Sequence, residues 1–181
     1  MSRCPICDYS EDELLAILKR LNDPNLLVRL ACDVADRIVG QTPDPITAAR
    51  WLAGARAWQE SPHIIEEGYR AGWGSSIGHP IWTARERPAA DCIHQVLGAA
   101  VRATKEGDNR LRDIVGRVEL AAIAARYVFD TAPGGYAAEG DWQHAHLRAT
   151  CCTCPPVLKA SPGGGRLRTS LLAARTCMQV K

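Results

Sequence analysis

Residues 23–40 read DPNLLVRLACDVADRIVG, and this stretch decides the predicted fold. Asp23 is a residue type that caps helix N-termini, and Pro24 after it is well suited to the first helical position. Apolar side chains then recur at spacings of three and four, which places them along one face of a helix. Gly40 ends the pattern, as glycine often does after a helix. The stretch therefore predicts an amphipathic helix with one buried face.

Comparable signals stand on both sides of this helix. Ser10 and Glu13 have the spacing of a capping box, which predicts a first helix that runs to about Leu21. Four further helix starts are predicted at Asp44 with Pro45 (a helix through Trp51 and Trp58), at Ser61 with Pro62, at Pro88 and at Asp108, and a last short helix is predicted to hold Trp142 and Leu147. The segments are rich in alanine, the best helix former, and none has a convincing strand pattern. We predict an all-α fold, a single bundle-like domain of five to seven helices.

The chain divides by composition into three parts. Residues 1–10 form an irregular N-terminal segment with a C-x2-C pair, and residues 11–149 form the predicted helical domain. Residues 150–181 are rich in Cys, Pro and Gly and are predicted to be a poorly ordered tail. Residues 1–149 carry 17 basic and 20 acidic side chains, whereas the tail carries five basic and no acidic ones. The body is therefore weakly acidic, and only the tail has a charge that would suit nucleic acid.

The same composition bears on location. No apolar run approaches the ~20 residues that span a bilayer, so no membrane partner is predicted. The N-terminus lacks the hydrophobic centre of a signal peptide, which predicts a cytoplasmic protein.

The eight cysteines suggest one metal site. Cys4 and Cys7 have the two-residue spacing that lets two thiolates bind one zinc ion, and Cys151 and Cys154 could supply the other two ligands. Such a site would join both ends of the domain and make the protein a zinc-binding helical adaptor or regulator. The alternative is that these are surface thiols near irregular termini, in which case no cofactor is expected. The zinc content of the purified chain distinguishes the two interpretations.

Two polar groups could instead bind metal or move protons. Asp91, His94 and Gln95 share a helix face by spacing, and Asp141, His144 and His146 lie close together in sequence. A solvated helix face and ordinary capping explain both groups more simply. The sequence also has no zinc-protease motif, no nucleophile elbow and no phosphate-binding glycine loop. We therefore predict that the protein is not an enzyme.

Tryptophan is unusually frequent, with five residues against a single phenylalanine. Trp51 and Trp58 are predicted to pack in the core. Trp73 and Trp82 flank a glycine-dense stretch and are predicted to contact a partner protein, because tryptophan and arginine are common in such interfaces. His79 and Arg85 belong to the same predicted partner-binding set.

Several short segments resemble one known family. Residues 23–27 (DPNLL), 31–39 (ACDVADRIV), 55–58 (ARAW) and 141–143 (DWQ) are similar to segments of an all-helical, alanine-rich family of immunity proteins from bacterial polymorphic toxin systems. The likeness covers about residues 23–149.

The resemblance implies an inhibitor, not a catalyst. Such a protein would bind a cognate toxin in the cytoplasm of the producing cell and block the toxin's active site. Asp33 and Arg37 lie in the shared pattern and are predicted partner contacts. The alternative for both, as for Trp58, is a role in the fold.

Overall fold

The computed structural model describes residues 14–73 and 82–151. This part of the chain contains seven α-helices, one 3-10 turn at Val39–Gln41 and no strand, which confirms the predicted all-α fold. The helices are α1 Leu14–Leu18, α2 Pro24–Asp36, α3 Pro45–Arg56, α4 Pro62–Arg70, α5 Glu86–Ala103, α6 Arg110–Phe129 and α7 Gly135–Cys151. The predicted N-terminal segment and nearly all of the predicted tail lie outside the described residues.

Helix α5 lies at the centre of the bundle. It packs along α6 and also contacts α2, α3 and α4. Its side chains Ile93, Val96 and Leu97 are at most 1% exposed. Helix α6 contacts α1, α2 and α7 as well as α5, so these two long helices connect the rest of the fold.

Aspartate caps hold the starts of α2 and α3, as predicted. The Asp23 carboxylate accepts hydrogen bonds from the N–H groups of Asn25, at 2.9 Å, and of Leu26, at 3.3 Å. Asp44 accepts bonds from the hydroxyl and the N–H of Thr47, which lower the pKa of Asp44 below its ordinary value.

One predicted cap and two predicted helix starts need correction. The Ser61 side chain makes no capping bond, although α4 does begin at Pro62. Helix α5 begins at Glu86, before Pro88, because the Thr83 and Glu86 side chains each accept from the other's backbone N–H in a capping box. Helix α6 begins at Arg110, not next to Asp108, after a turn in which Gly107 has a φ of +140°.

The last helix is longer than predicted. Helix α7 has 17 residues, starts directly after Gly134, which has a φ of +74°, and continues to Cys151. Trp51 and Trp58 are 3% and 9% exposed, which confirms that both pack in the core. However, α3 ends at Arg56, so Trp58 lies in the turn that follows the helix.

Candidate functional site

A polar network joins α2 to α7. The Arg37 Nε donates a hydrogen bond to Glu139 Oε2 at 3.0 Å, and the Glu139 side chain is only 1% exposed. The Arg37 guanidinium also lies over the Trp142 ring, 4.0 Å from its centroid. This geometry combines an ion pair with a cation–π contact. Arg37 therefore binds its own chain at two points.

The network continues from Trp142 to α3. Trp142 stacks on His146 at a centroid distance of 5.0 Å, and His146 Nε2 lies 2.9 Å from Asp33 Oδ2. The other Asp33 oxygen accepts from Arg56 Nη2 at 2.8 Å, and Arg56 also binds Asp36. Three of the segments that carry the family resemblance thus meet in one place: residues 31–39, 55–58 and 141–143. Asp33 and Arg37, the predicted partner contacts, both bind residues of their own chain. This agrees with the alternative that they serve the fold.

A second polar cluster lies between α4, α5 and α6. Asp91 accepts from Gln95 Nε2 at 3.2 Å, and Gln95 Oε1 accepts from Arg117 Nη1 at 2.7 Å. Arg117 Nη2 donates to the Tyr69 hydroxyl at 3.2 Å, and the Tyr69 ring stacks on His94 at 4.7 Å. All five side chains are half-buried, so this face is less solvated than its sequence pattern indicates. The two polar groups predicted from the sequence do not form one site. Asp91 and His94 contact Gln95 and Tyr69, whereas His146 contacts Asp33, and Asp141 is exposed.

His94 has an unusual environment for a histidine. Its Nδ1 atom is buried and has no hydrogen-bond partner among the described residues. Burial is the main cause that lowers the pKa of His94, and the charge of Arg117 lowers it further, while Asp91 opposes the shift. The folded protein therefore favours neutral His94.

This environment predicts a loss of stability in acid. The unfolded chain binds a proton at His94 as the pH falls through about 6.5, the ordinary value, whereas the folded chain binds it only at lower pH. The contribution of His94 to stability is complete above that pH and decreases below it. Urea unfolding at pH 7.5 and 5.0 should show a smaller acid loss in His94→Phe, which keeps a ring against Tyr69. The exposed His63 provides the control His63→Gln, which should retain the wild-type acid loss, and equal losses in all three proteins would contradict this account.

An open groove lies beside the helix pair α5 and α6. We call it the α5–α6 groove. It has a volume of about 510 Å³, within the range of ligand-binding clefts. Its lining consists of Trp73, Ala84, Arg87, Pro88, Asp91, Ala124, Tyr127, Asp130 and Thr131.

Three residues of the predicted partner-binding set meet at this groove. Trp73 lines it and makes an edge contact with the Trp82 ring, with 6.3 Å between the ring centroids. Arg85 Nε donates to the hydroxyl of Thr131, a lining residue, at 2.9 Å. His79, the remaining residue predicted with these three, lies outside the described residues.

The groove is also lined by residues that the sequence patterns did not indicate. The Tyr127 ring is 52% exposed and makes an edge contact with Tyr136 at 5.3 Å. Arg87 and Asp130 also line the groove, and neither side chain has a hydrogen bond or an ion pair within the described residues. The sequence gives no direct signal for Tyr127, because its spacing on α6 does not distinguish a groove from an ordinary exposed position.

The predicted zinc ligands are mostly outside the described part of the chain. Cys4, Cys7 and Cys154 lie there, whereas Cys151 is half-buried at the end of α7 and packs against the core. Within residues 14–73 and 82–151, no group of three or more His, Cys, Asp or Glu side chains is placed to hold a metal ion. The zinc site stays a prediction.

Two other cysteines belong to the core. Cys32 and Cys92 are fully buried, and burial raises the pKa of the Cys32 thiol to about 12. Burial also raises the pKa of Cys92. Since the thiolate is the reactive form, both are poor nucleophiles and poor metal ligands in the folded protein.

Two further comparisons concern the helices and the whole sequence. Among the described helices, none has both the length and the apolar character that a bilayer span needs. Comparison with protein-family models, with curated proteins and with solved structures found no match.

Proposed function

We propose that the chain is a non-enzymatic protein-binding module, an immunity protein that neutralises a cognate bacterial toxin in the cytoplasm of the cell that makes it. The resemblance over about residues 23–149 supports the toxin as the partner. The lack of a recognisable catalytic motif in the sequence supports inhibition over catalysis.

The observation that carries this proposal is the α5–α6 groove. Trp73 and Tyr127 present aromatic surface there, and the small side chains of Ala84 and Ala124 leave space between. Tryptophan, tyrosine and arginine are the residue types that contribute most to protein interfaces. Half-exposed Tyr127 is already ordered by Tyr136, so binding would cost it little conformational entropy.

The charges around the groove suggest how a toxin segment would lie in it. We propose that an apolar or aromatic side chain of the toxin enters between Trp73 and Tyr127. Arg87 and Asp130, which have no partners within the described residues, would pair with opposite charges on either side of that side chain. Asp33 and Arg37 are assigned to the fold in this account, because their hydrogen-bonding and stacking partners belong to the chain itself.

Growth protection tests the proposal. The effector encoded beside the gene for this chain is expressed in a sensitive host, with or without the chain. We expect wild type to protect the host. We expect Tyr127→Ala and Trp73→Ala to protect less, because each should weaken toxin binding by about 30-fold, the effect of an interface hot spot. Ile46→Ala is the matched control, because Ile46 is 85% exposed and does not line the groove.

The outcomes separate the two parts of the proposal. Protection that is lost in both groove variants, while their helical content stays unchanged, supports the function and its site. Protection by every variant would place the toxin contact elsewhere on the chain. No protection by wild type would remove this effector as the partner and would count against the immunity function.

A further inference from the structure

Helix α7 is attached to the bundle in a different way from the other long helices. Its fully buried residues are Glu139, Gly140, Gln143 and Leu147, of which only Leu147 has a large apolar side chain. Helix α6, of similar length, buries eight residues, and all of them are apolar. Apolar burial is the main source of helix docking energy. Half-buried Trp142 and Cys151 of α7 also pack against the core, but α7 still buries less apolar surface than α5 or α6.

Polar contacts replace the missing apolar ones. Buried Glu139 pairs with Arg37, the residue directly after α2, and Gln143 Nε2 donates to the Ala122 carbonyl on α6 at 3.0 Å. Gln143 Oε1 accepts from Arg126 Nε at 2.9 Å, and the Nη2 of that arginine is buried with no hydrogen-bond partner among the described residues. This ion pair fixes the geometry, but its net contribution to stability is reduced because Glu139 loses nearly all of its water on burial.

The surface beneath α7 is apolar and imperfectly filled. A cavity of about 20 Å³ lies between α7 and the neighbouring helices α1, α2 and α6. Its apolar lining residues are Leu14, Leu18, Leu30, Val34, Val118, Ala122 and Leu147. These α2 and α6 residues also belong to the core or pack directly beside it. Most of the buried apolar side chains therefore belong to α1 to α6 and not to α7.

We propose that α7 is held on the bundle mainly by polar contacts and can detach from it while the other helices stay folded. It opens as a unit from the rest of the bundle and uncovers the side of the apolar strip (Leu30, Val34, Val118 and Ala122) that α1 does not cover. The Arg37–Glu139 pair controls this opening, because Arg37 offsets the cost of keeping the Glu139 carboxylate buried in the closed state, whereas that carboxylate is hydrated in the open one. The device makes exposure of the strip depend on this ion pair together with the contacts that Gln143 and His146 make with α6 and α2.

Hydrogen exchange of the full chain, measured by mass spectrometry, tests this device. In wild type we expect amides of residues 139–149 to exchange at least about tenfold faster than those of α5, even without denaturant. Glu139→Gln keeps the shape of the side chain but removes its charge, so the charge-assisted bond from Arg37 becomes a weaker neutral one. We expect α7 exchange to accelerate by about another tenfold, while α5 changes less than about twofold. Glu66→Gln removes the exposed pair with Arg70 and is the matched control, with no effect expected on α7.

The wild-type measurement decides the matter if Glu139→Gln fails to fold. In low urea, a unit that opens by itself gives α7 amides a weaker urea dependence than α5 amides, because less surface becomes exposed. Equal protection and equal urea dependence in α5 and α7 would overturn the proposal. In a folded Glu139→Gln protein, equal acceleration of both helices would overturn it as well.

Discussion

We expect Trp51→Ala to lower the free energy of unfolding by roughly 4 kcal/mol, the usual cost of removing a large aromatic side chain from a core. Trp51 is 3% exposed, and its ring makes an edge contact with Trp73 at a centroid distance of 4.7 Å. The substitution leaves a cavity and also removes the support behind one wall of the α5–α6 groove. Denaturant unfolding followed by far-ultraviolet circular dichroism measures the loss without depending on tryptophan fluorescence.

Trp51→Phe provides the matched comparison. The Trp51 Nε1 is buried and has no hydrogen-bond partner among the described residues, so phenylalanine removes an unpaired donor while keeping an aromatic ring. We expect this variant to lose roughly 1 kcal/mol, much less than the alanine variant. A Trp51→Ala protein that loses less than about 1 kcal/mol would show that this core position is not packed as described.

Two glycine substitutions should change stability in opposite directions. A Cβ atom at Gly68 would lie 2.7 Å from Trp51 Cγ and 2.8 Å from Leu97 Cδ1, closer than side chains approach one another. Gly68→Ala therefore forces α4 away from the core, and we expect a loss of about 2 kcal/mol despite the better helix propensity of alanine. A Cβ atom at Gly116 meets nothing within 4 Å, so we expect Gly116→Ala to add up to about 1 kcal/mol.

The same unfolding experiment compares both variants with wild type. The sign of the difference matters more than its size, because both substitutions add one methyl group inside a helix. A gain in stability from Gly68→Ala would contradict the close approach of α4 to Trp51. A loss of more than about 1 kcal/mol from Gly116→Ala would contradict the open space around that residue.

The sequence predicts helices well where local signals act together. At the starts of α2 and α3, an aspartate cap and a proline occur next to each other, and both caps are present in the structure. The start of α5 was misplaced because Pro88 is a strong signal by itself, whereas the Thr83–Glu86 capping box lies just before it. Helix α7 was predicted too short because apolar periodicity reveals helices that bury an apolar stripe, and α7 buries polar groups instead.

The candidate site could be predicted only in part. Trp73, Trp82 and Arg85 are near one another in sequence, so one glycine-dense stretch indicated all three. Tyr127 reaches the same groove from α6, and that contact depends on how α5 packs against α6, which local patterns do not specify. The pairing of Asp33 with His146 likewise joins residues 113 positions apart, so the network that holds these resemblance segments could not be derived from spacing.

The direct test of the central claim is the dissociation constant between the full chain and the toxin domain of the effector encoded beside its gene. Isothermal titration calorimetry with both purified proteins measures this constant, and a toxin activity assay runs in parallel. We expect a one-to-one complex with a Kd below about 1 µM, toxin inhibition in the same concentration range, and about 30-fold weaker binding by Tyr127→Ala. No binding at about 100 µM, with the toxin fully active, would contradict the claim that this helical bundle neutralises that toxin.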